Sequence, residues 1–169
     1  PGQPAAPSLP PLPMQFAGVP RADREERVEE LLELVGVGYC ADRRPDELSG
    51  GEQQRVAVAV AVANEPEVLF ADEPTGELDT ATSAEVFAAL RTVNGAMGVT
   101  VVVVTHDPLV ANHVDRTVGI RDGRTSSEVL RRTELNELGH EEVVAEEYAV
   151  LDRAGRLQLP RDFTTALEM

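Results

Sequence analysis

The chain has 169 residues, enough for one domain with a real core. Its 15 Lys+Arg against 30 Asp+Glu leave a net charge of -15, which argues against nonspecific binding to nucleic acid or anionic membranes, since both need a positive surface. No apolar run approaches the roughly 18 residues of a membrane helix, no signal peptide is visible, and the single Cys40 can form no intrachain disulfide, so a cytosolic setting fits. The chain begins at Pro1 rather than Met, which reads as part of something longer, and it contains no lysine.

Residues 1–13, PGQPAAPSLPPLP, hold half of the chain's 12 prolines. Such a segment favours extended polyproline-type conformations and is expected not to pack as a helix; it reads as a linker or ragged end, with a P-x-x-P ligand as the alternative. ADREERVEELLELV, 22–35, predicts an amphipathic helix, with Val28, Leu31, Leu32 and Val35 at helical spacing and Gly36 as its stop.

Ser49 followed by Glu52 is a capping box and predicts a helix from about Gly50 to Asn64. Its VAVAVAVA run is apolar at every position, so the helix is expected to be buried. EVLF, 67–70, predicts a short buried strand, Thr80 to Val93 a helix, and GVTVVVVTH, 98–106, a second apolar strand. Strand, helix and strand with short connections form a parallel crossover unit. Asp107-Pro108 starts another helix, RTVGIRDGRTSS predicts a hairpin around Asp122-Gly123, and the acidic stretch from Glu128 to Glu147 reads as helical.

In open α/β sheets ligands bind beyond the carboxyl ends of the strands. Asp72 and Glu73 stand at the end of the first strand and His106 at the end of the second. Adjacent strands would bring two carboxylates and an imidazole to one edge. One carboxylate would hold a hard cation, one would orient or deprotonate a water, and the imidazole would contact the reacting group. The plainer alternative is a loop opened by DEP and a histidine that caps. At Ser49 the helix start offers unpaired backbone N–H groups, a positive dipole end and two glycines that let a phosphate approach; an ordinary capping box is again the alternative.

These residues together resemble the ATP-binding-cassette (ABC) ATPases. LSGGEQQR, 48–55, looks like the signature motif, VLFADEP, 68–74, like the Walker B strand, GELD, 76–79, like the D-loop, and VTHD, 104–107, like the switch-histidine segment. The order and spacing agree, and the pattern is nearest to ATPase subunits of bacterial exporters of the lipoprotein and macrolide type. The resemblance implies that Asp72 holds Mg²⁺, Glu73 polarises the attacking water and His106 contacts the γ-phosphate. It implies that Ser49, Gly50 and Gly51 touch ATP held by an opposite subunit, with Gln53 and Arg55 on the signature helix's first turns and Asp79 coupling the two sites. It further implies ATP as cofactor, a head-to-tail homo- or heterodimer, a membrane-spanning permease as partner, and a cytoplasmic location on the inner face of the membrane.

The match also has gaps. A phosphate loop of the form G-x-x-x-x-G-K-[ST] needs a lysine, and this chain has none. Val60 stands where relatives usually carry arginine, and Glu77 where the D-loop usually has asparagine or a small residue. VLDRAGRLQLPRDF resembles half of a swapped-hairpin regulator of the AbrB type, in which Arg153, Arg156 and Arg161 could contact DNA; a small dimerisation hairpin is the alternative.

The expected fold is α/β, a truncated P-loop-type cassette with a parallel sheet, a helical signature subdomain and a small C-terminal appendage. Its segments are a Pro-rich stretch 1–20, a signature subdomain 21–66, part of the catalytic core 67–125, an acidic helix 126–149 and an incomplete swapped-hairpin-like tail 150–169. The expected function is the ATP-hydrolysing module of an ABC exporter, inactive in isolation without its phosphate loop. Alternatives are a non-catalytic partner that supplies the signature motif in trans and a DNA-binding regulator built on the tail.

Overall fold

The computed structural model describes residues 12–121, 123–135, 141–151 and 155. The chain divides into two compact units, Pro1–Asp107 and Pro108–Met169.

The first unit opens with α1, Leu12–Phe16, which buries Met14. This corrects the expectation that the proline-rich stretch stays extended throughout: Pro13 sits at the second helical position, where a missing N–H breaks no intrahelical bond. Residues 1–11 lie outside the described residues. The Pro13 carbonyl accepts from Asn64 Nδ2 at 3.1 Å.

Helix α2, Arg21–Leu34, forms as its periodicity predicts and buries Leu31 and Leu32. Gly36 takes φ +74°, and the Val35 and Val37 amides turn back to the Leu31 and Leu32 carbonyls. That is the left-handed stop for which glycine is suited.

Helix α3, Gly50–Val62, starts at the predicted capping box and buries Gly51, Arg55, Val56, Val58, Ala59 and Val62. The expectation of all-round burial is corrected. Gln53, Ala57, Val60 and Ala61 are exposed, and their spacing places them on one stripe of the helix.

Strand β1, Val68–Asp72, runs parallel to β2, Thr100–Val104, in register from Val68↔Thr100 to Asp72↔Val104. Between them α4, Thr80–Met97, extends four residues past the expected Val93 and stops at Gly98, φ +69°. Val86, Phe87, Ala89, Leu90 and Val93 on α4 are buried. Leu69 points into this core, whereas Val68, Phe70, Val102 and Val104 are exposed. The apolar strands are therefore covered on one face rather than on both.

The second unit begins with a 3₁₀ turn, Pro108–His113, in place of the expected helix. Strands β3, Arg116–Arg121, β4, Arg124–Leu135, and β5, Glu141–Ala149, form an antiparallel sheet in the order β3-β4-β5. The β3–β4 pair is the predicted hairpin, with Gly123 at φ +71°.

The acidic helix expected at 126–149 is corrected to two strands. The glutamates that favour helix are interspersed with Val, Thr and Ser, and the register sets Thr133 opposite Val143, Arg132 opposite Val144 and Arg131 opposite Ala145. The backbone ladder and the β-branched side chains on neighbouring strands outweigh the local helix preference, even though Glu134 stands opposite Glu142. Because β3 pairs with β4, the 125/126 boundary cuts through one sheet. Apart from Gly155, positions 152–169, with Arg153, Arg156 and Arg161, lie outside the described residues.

Candidate functional site

Two clusters carry the predicted site residues. The first is the turn that starts α3. Ser49 is extended, φ -64° and ψ 160°, as an N-cap must be. Its backbone N–H donates to Glu52 Oε2 at 2.7 Å, its hydroxyl donates to the same oxygen at 2.8 Å, and the Glu52 amide donates back to Ser49 Oγ at 3.3 Å. Glu52 Oε1 accepts from the Tyr39 hydroxyl at 2.9 Å, the Cys40 thiol at 3.4 Å and Arg43 at 3.5 Å. These donors favour the charged form, with the two Ser49 bonds foremost, and lower the Glu52 carboxyl to about 2. Tyr39, Cys40 and Arg43 around Glu52 were invisible to motif reading, because they lie in an irregular segment with no periodic signal.

Gly50 and Gly51 fill the first turn. At the N-terminus of a helix their N–H groups have no intrahelical acceptor. Both glycines are also needed for packing. A Cβ at Gly50 would lie 3.1 Å from Leu78 Cδ2, and one at Gly51 would collide with the Thr82 methyl. The turn thus packs against the start of α4, where Asp79 is the N-cap. Asp79 Oδ1 accepts from the Ala81 and Thr82 amides at 2.9 and 3.0 Å, and Oδ2 accepts from the Thr82 hydroxyl at 2.7 Å. These bonds, led by the Thr82 amide, hold its carboxyl below the usual range. Gln53 folds back, its amide donating to the Pro45 and Leu48 carbonyls at 3.2 and 3.0 Å. Arg55 is buried and pairs with Glu85 on α4.

The second cluster lies at the carboxyl ends of β1 and β2. Asp72 ends β1, exposed, opposite Val104. Glu73 follows with φ +44°, a left-handed conformation unusual for a residue with a side chain. The conformation is held from β2: the Glu73 amide donates to the Val104 carbonyl at 2.8 Å. Its carboxylate accepts from the Thr105 hydroxyl at 2.8 Å and the His106 amide at 2.9 Å, and meets His106 Nδ1 at 2.7 Å. The His106 and Thr105 bonds lower the Glu73 carboxyl, and the Glu73 bond raises the His106 imidazole. Thr105 is the residue that motif reading passed over here, although it stands inside VTHD.

The structure thus seats Gly50 and Gly51 against Leu78 and Thr82, the residues beside and bonded to the Asp79 cap, and joins Glu73 to His106. Gln53 hydrogen-bonds to the loop before its own helix. Asp72 shares the strand edge with Glu73. Among the described residues no group of three or more His, Cys, Asp or Glu is arranged to hold a metal ion.

The profile of the ABC transporter family matches residues 8–76. The lipoprotein-releasing system ATP-binding protein LolD 2 of Caulobacter vibrioides is 49% identical over 112 residues, covering 66% of this chain and 49% of that protein. The macrolide export ATP-binding/permease protein MacB of Rhodopirellula baltica is 48% identical over 123 residues, covering 72% of this chain and 18% of that one. Among solved structures, the dimeric ATP-binding cassette MJ0796 in a post-hydrolysis state with ADP and Pi superposes with a TM-score of 0.59 at 37% identity, covering 75% of this chain and 57% of that one. The chain spans about half the length of the LolD relative. Over the matched part, in sequence and in fold, the chain belongs to the ATP-binding domains of ABC transporters.

Proposed function

We propose that the chain supplies the signature turn and the water-activating edge of an ABC transporter ATPase that drives export through a membrane permease at the cytoplasmic face. The observation that carries this is the Glu73 carboxylate, fixed by Thr105 and His106 at the joined ends of two parallel strands. A carboxylate kept ionised there by hydrogen bonds can orient a water and take its proton. His106, at the same edge, can donate from Nε2 toward the reacting phosphate when the ring is protonated, while Nδ1 keeps its contact with Glu73. Asp72 is an exposed hard-oxygen ligand. One such carboxylate suits a magnesium ion that arrives with the nucleotide, since such ions keep waters and phosphate oxygens as their other ligands. The N–H groups of Gly50 and Gly51 and the Ser49 hydroxyl fit the terminal phosphate of a nucleotide brought by an opposing subunit. Asp79 holds Thr82, which lies against Gly51, and so ties the turn's position to α4. The dimeric MJ0796 structure bound to ADP and Pi supports nucleotide binding by a cassette dimer, and the MacB name supports a permease partner.

The lack of lysine favours a second reading, in which the chain serves an intact cassette in trans as a source of the signature turn alone. One mixing experiment separates the readings. ATP affinity and turnover of the intact Caulobacter relative are measured with and without the chain. The trans reading predicts a change that Ser49→Arg removes and Glu73→Gln leaves in place. The catalytic reading predicts that Glu73→Gln removes turnover at the added site. No effect of the chain on either quantity refutes both. Alone, the chain should show no magnesium-dependent turnover; activity that disappears with Glu73→Gln would overturn that.

A further inference from the structure

Glu52 receives more hydrogen bonds than a carboxylate has places for. Oε2 accepts the Ser49 backbone N–H at 2.7 Å and the Ser49 hydroxyl at 2.8 Å. Oε1 accepts the Tyr39 hydroxyl at 2.9 Å, the Cys40 thiol at 3.4 Å and Arg43 Nη1 at 3.5 Å. Five donors thus face about four lone-pair sites. The three donors on Oε1 come from outside the helix. Tyr39 and Cys40 stand on the 3₁₀ turn Gly38–Cys40, which the fully buried Val37 and Cys40 pin to the core, and the Arg43 guanidinium lies 5.5 Å from the centre of the Tyr39 ring. Tyr39 and Cys40 keep their protons at neutral pH: the bond to Glu52 raises the phenol, and burial first of all raises the thiol. The far oxygen of Glu52 is therefore well supplied with donors.

We propose that Tyr39, Cys40 and Arg43 are positioning residues for the signature turn: by saturating Oε1 of Glu52 they make the Ser49 hydroxyl its surplus donor, which can turn to a terminal phosphate while the carboxylate stays satisfied. The count of donors decides the direction. When the hydroxyl leaves, Glu52 keeps the Ser49 amide and the three donors on Oε1, four bonds for about four sites. Without the Oε1 donors, the same departure leaves a carboxylate only 13% exposed with the Ser49 amide alone, and unmade bonds to a shielded charge are the costly ones. The hold on the Ser49 hydroxyl tightens accordingly. Arg43 also offsets the charge of Glu52, which otherwise faces an incoming phosphate of the same sign. The action of all three residues on Ser49 passes through Glu52. The inference rests on the nucleotide reading proposed above and adds to it what sets the affinity of the turn.

The test is the ATP affinity of the intact Caulobacter relative, measured by nucleotide titration with the full 169-residue chain present. Tyr39→Phe and Arg43→Gln should each weaken the affinity that the chain confers by about threefold or more. In a Ser49→Ala chain, which keeps the amide but has no hydroxyl to release, Tyr39→Phe should change nothing, so the two substitutions are non-additive. A purely structural role for Tyr39 would weaken affinity in both backgrounds. Amide hydrogen exchange without nucleotide gives a second readout: Ser49 in the Tyr39→Phe chain should stay as protected as in the parent, because its N–H keeps Glu52 Oε2. Unchanged or tighter ATP affinity with Tyr39→Phe, an undiminished effect in the Ser49→Ala background, or loss of Ser49 amide protection would each overturn the proposal. A parent chain without effect on the relative refutes the nucleotide reading, and this inference with it; an effect of the parent that Tyr39→Phe leaves untouched refutes this inference alone.

Discussion

Gly51 makes a sharp test of how the signature turn is built. It is buried in the first turn of α3, and a Cβ there would collide with the Thr82 methyl on α4. That methyl cannot simply rotate away. The Thr82 hydroxyl is held by Asp79 Oδ2 at 2.7 Å, and turning χ1 would break this bond. Gly51→Ala therefore forces the two helices apart. Overpacking a well-filled contact costs about 1–3 kcal/mol, offset by up to about 1 kcal/mol from the better helix propensity of alanine. The net loss is about 1–2 kcal/mol, a fall in Tm of about 4–8 °C per kcal/mol for a unit of this size. Thr82→Ser removes the methyl and keeps the hydroxyl on Asp79, so Gly51→Ala/Thr82→Ser should recover most of the loss. The assay is thermal unfolding of all four members of the cycle. Equal stability of Gly51→Ala and parent, or no rescue by Thr82→Ser, would refute the argument that the turn is seated on Thr82.

Three further expectations concern charge. Glu52 is lowered to about 2, so its contribution to stability is complete above the unfolded carboxyl value and is lost as pH falls through the folded one; Glu52→Gln should flatten the decline in Tm between about pH 4.5 and 2. His106 is raised and Glu73 lowered by their mutual bond. The His106 share of that stability is present below its unfolded value and is lost as pH rises through the folded one, and NMR titration of Glu73→Gln should bring the imidazole back down towards its ordinary value. Arg55 is buried with its Nε unpartnered and depends on Glu85. Glu85→Ala leaves that guanidinium uncompensated and should cost about 1–3 kcal/mol, more than Arg55→Met, which removes the buried charge itself; chemical denaturation of the two variants checks the order.

Local rules with few solutions were legible in the sequence. Ser49 and Glu52 announce α3 because a capping box satisfies two orphan donors at fixed spacing, and the Gly36 stop of α2 follows from its left-handed backbone. The strands EVLF and TVVVV are legible from β-branched residues bounded by turn signals. The segment 126–149 was not legible as strands, because its glutamates favour helix locally while its stability comes from cross-strand pairing with β3 and between β4 and β5, which local propensity does not display. The exposure of one β1/β2 face was equally hidden: an apolar run predicts burial, and only the neighbours present decide whether burial is completed.

The site shows the same division between inventory and arrangement. Asp72, Glu73 and His106 can be named from their places at strand ends, but the sequence does not reveal that Glu73 occupies a left-handed conformation. That conformation directs the carboxylate across to β2, where Thr105 and His106 engage both oxygens. The pairing fixes the carboxylate and occupies Nδ1 of the imidazole, which leaves Nε2 of the exposed ring as the nitrogen that can meet a phosphate in the proposed reading. Ser49 is constrained in the same way, because its hydroxyl already donates to Glu52. A phosphate at the signature turn must compete with a carboxylate anchored by Tyr39, Cys40 and Arg43. The side chains of Glu73, Ser49 and Glu52 are therefore already partnered, and in the proposed reading a nucleotide engages them by exchanging hydrogen bonds, while the Gly50 and Gly51 amides have no intrahelical acceptor to give up. Such exchange would tie the geometry of the turn and of the strand edge to whether a phosphate is present, as the proposed ATPase role requires.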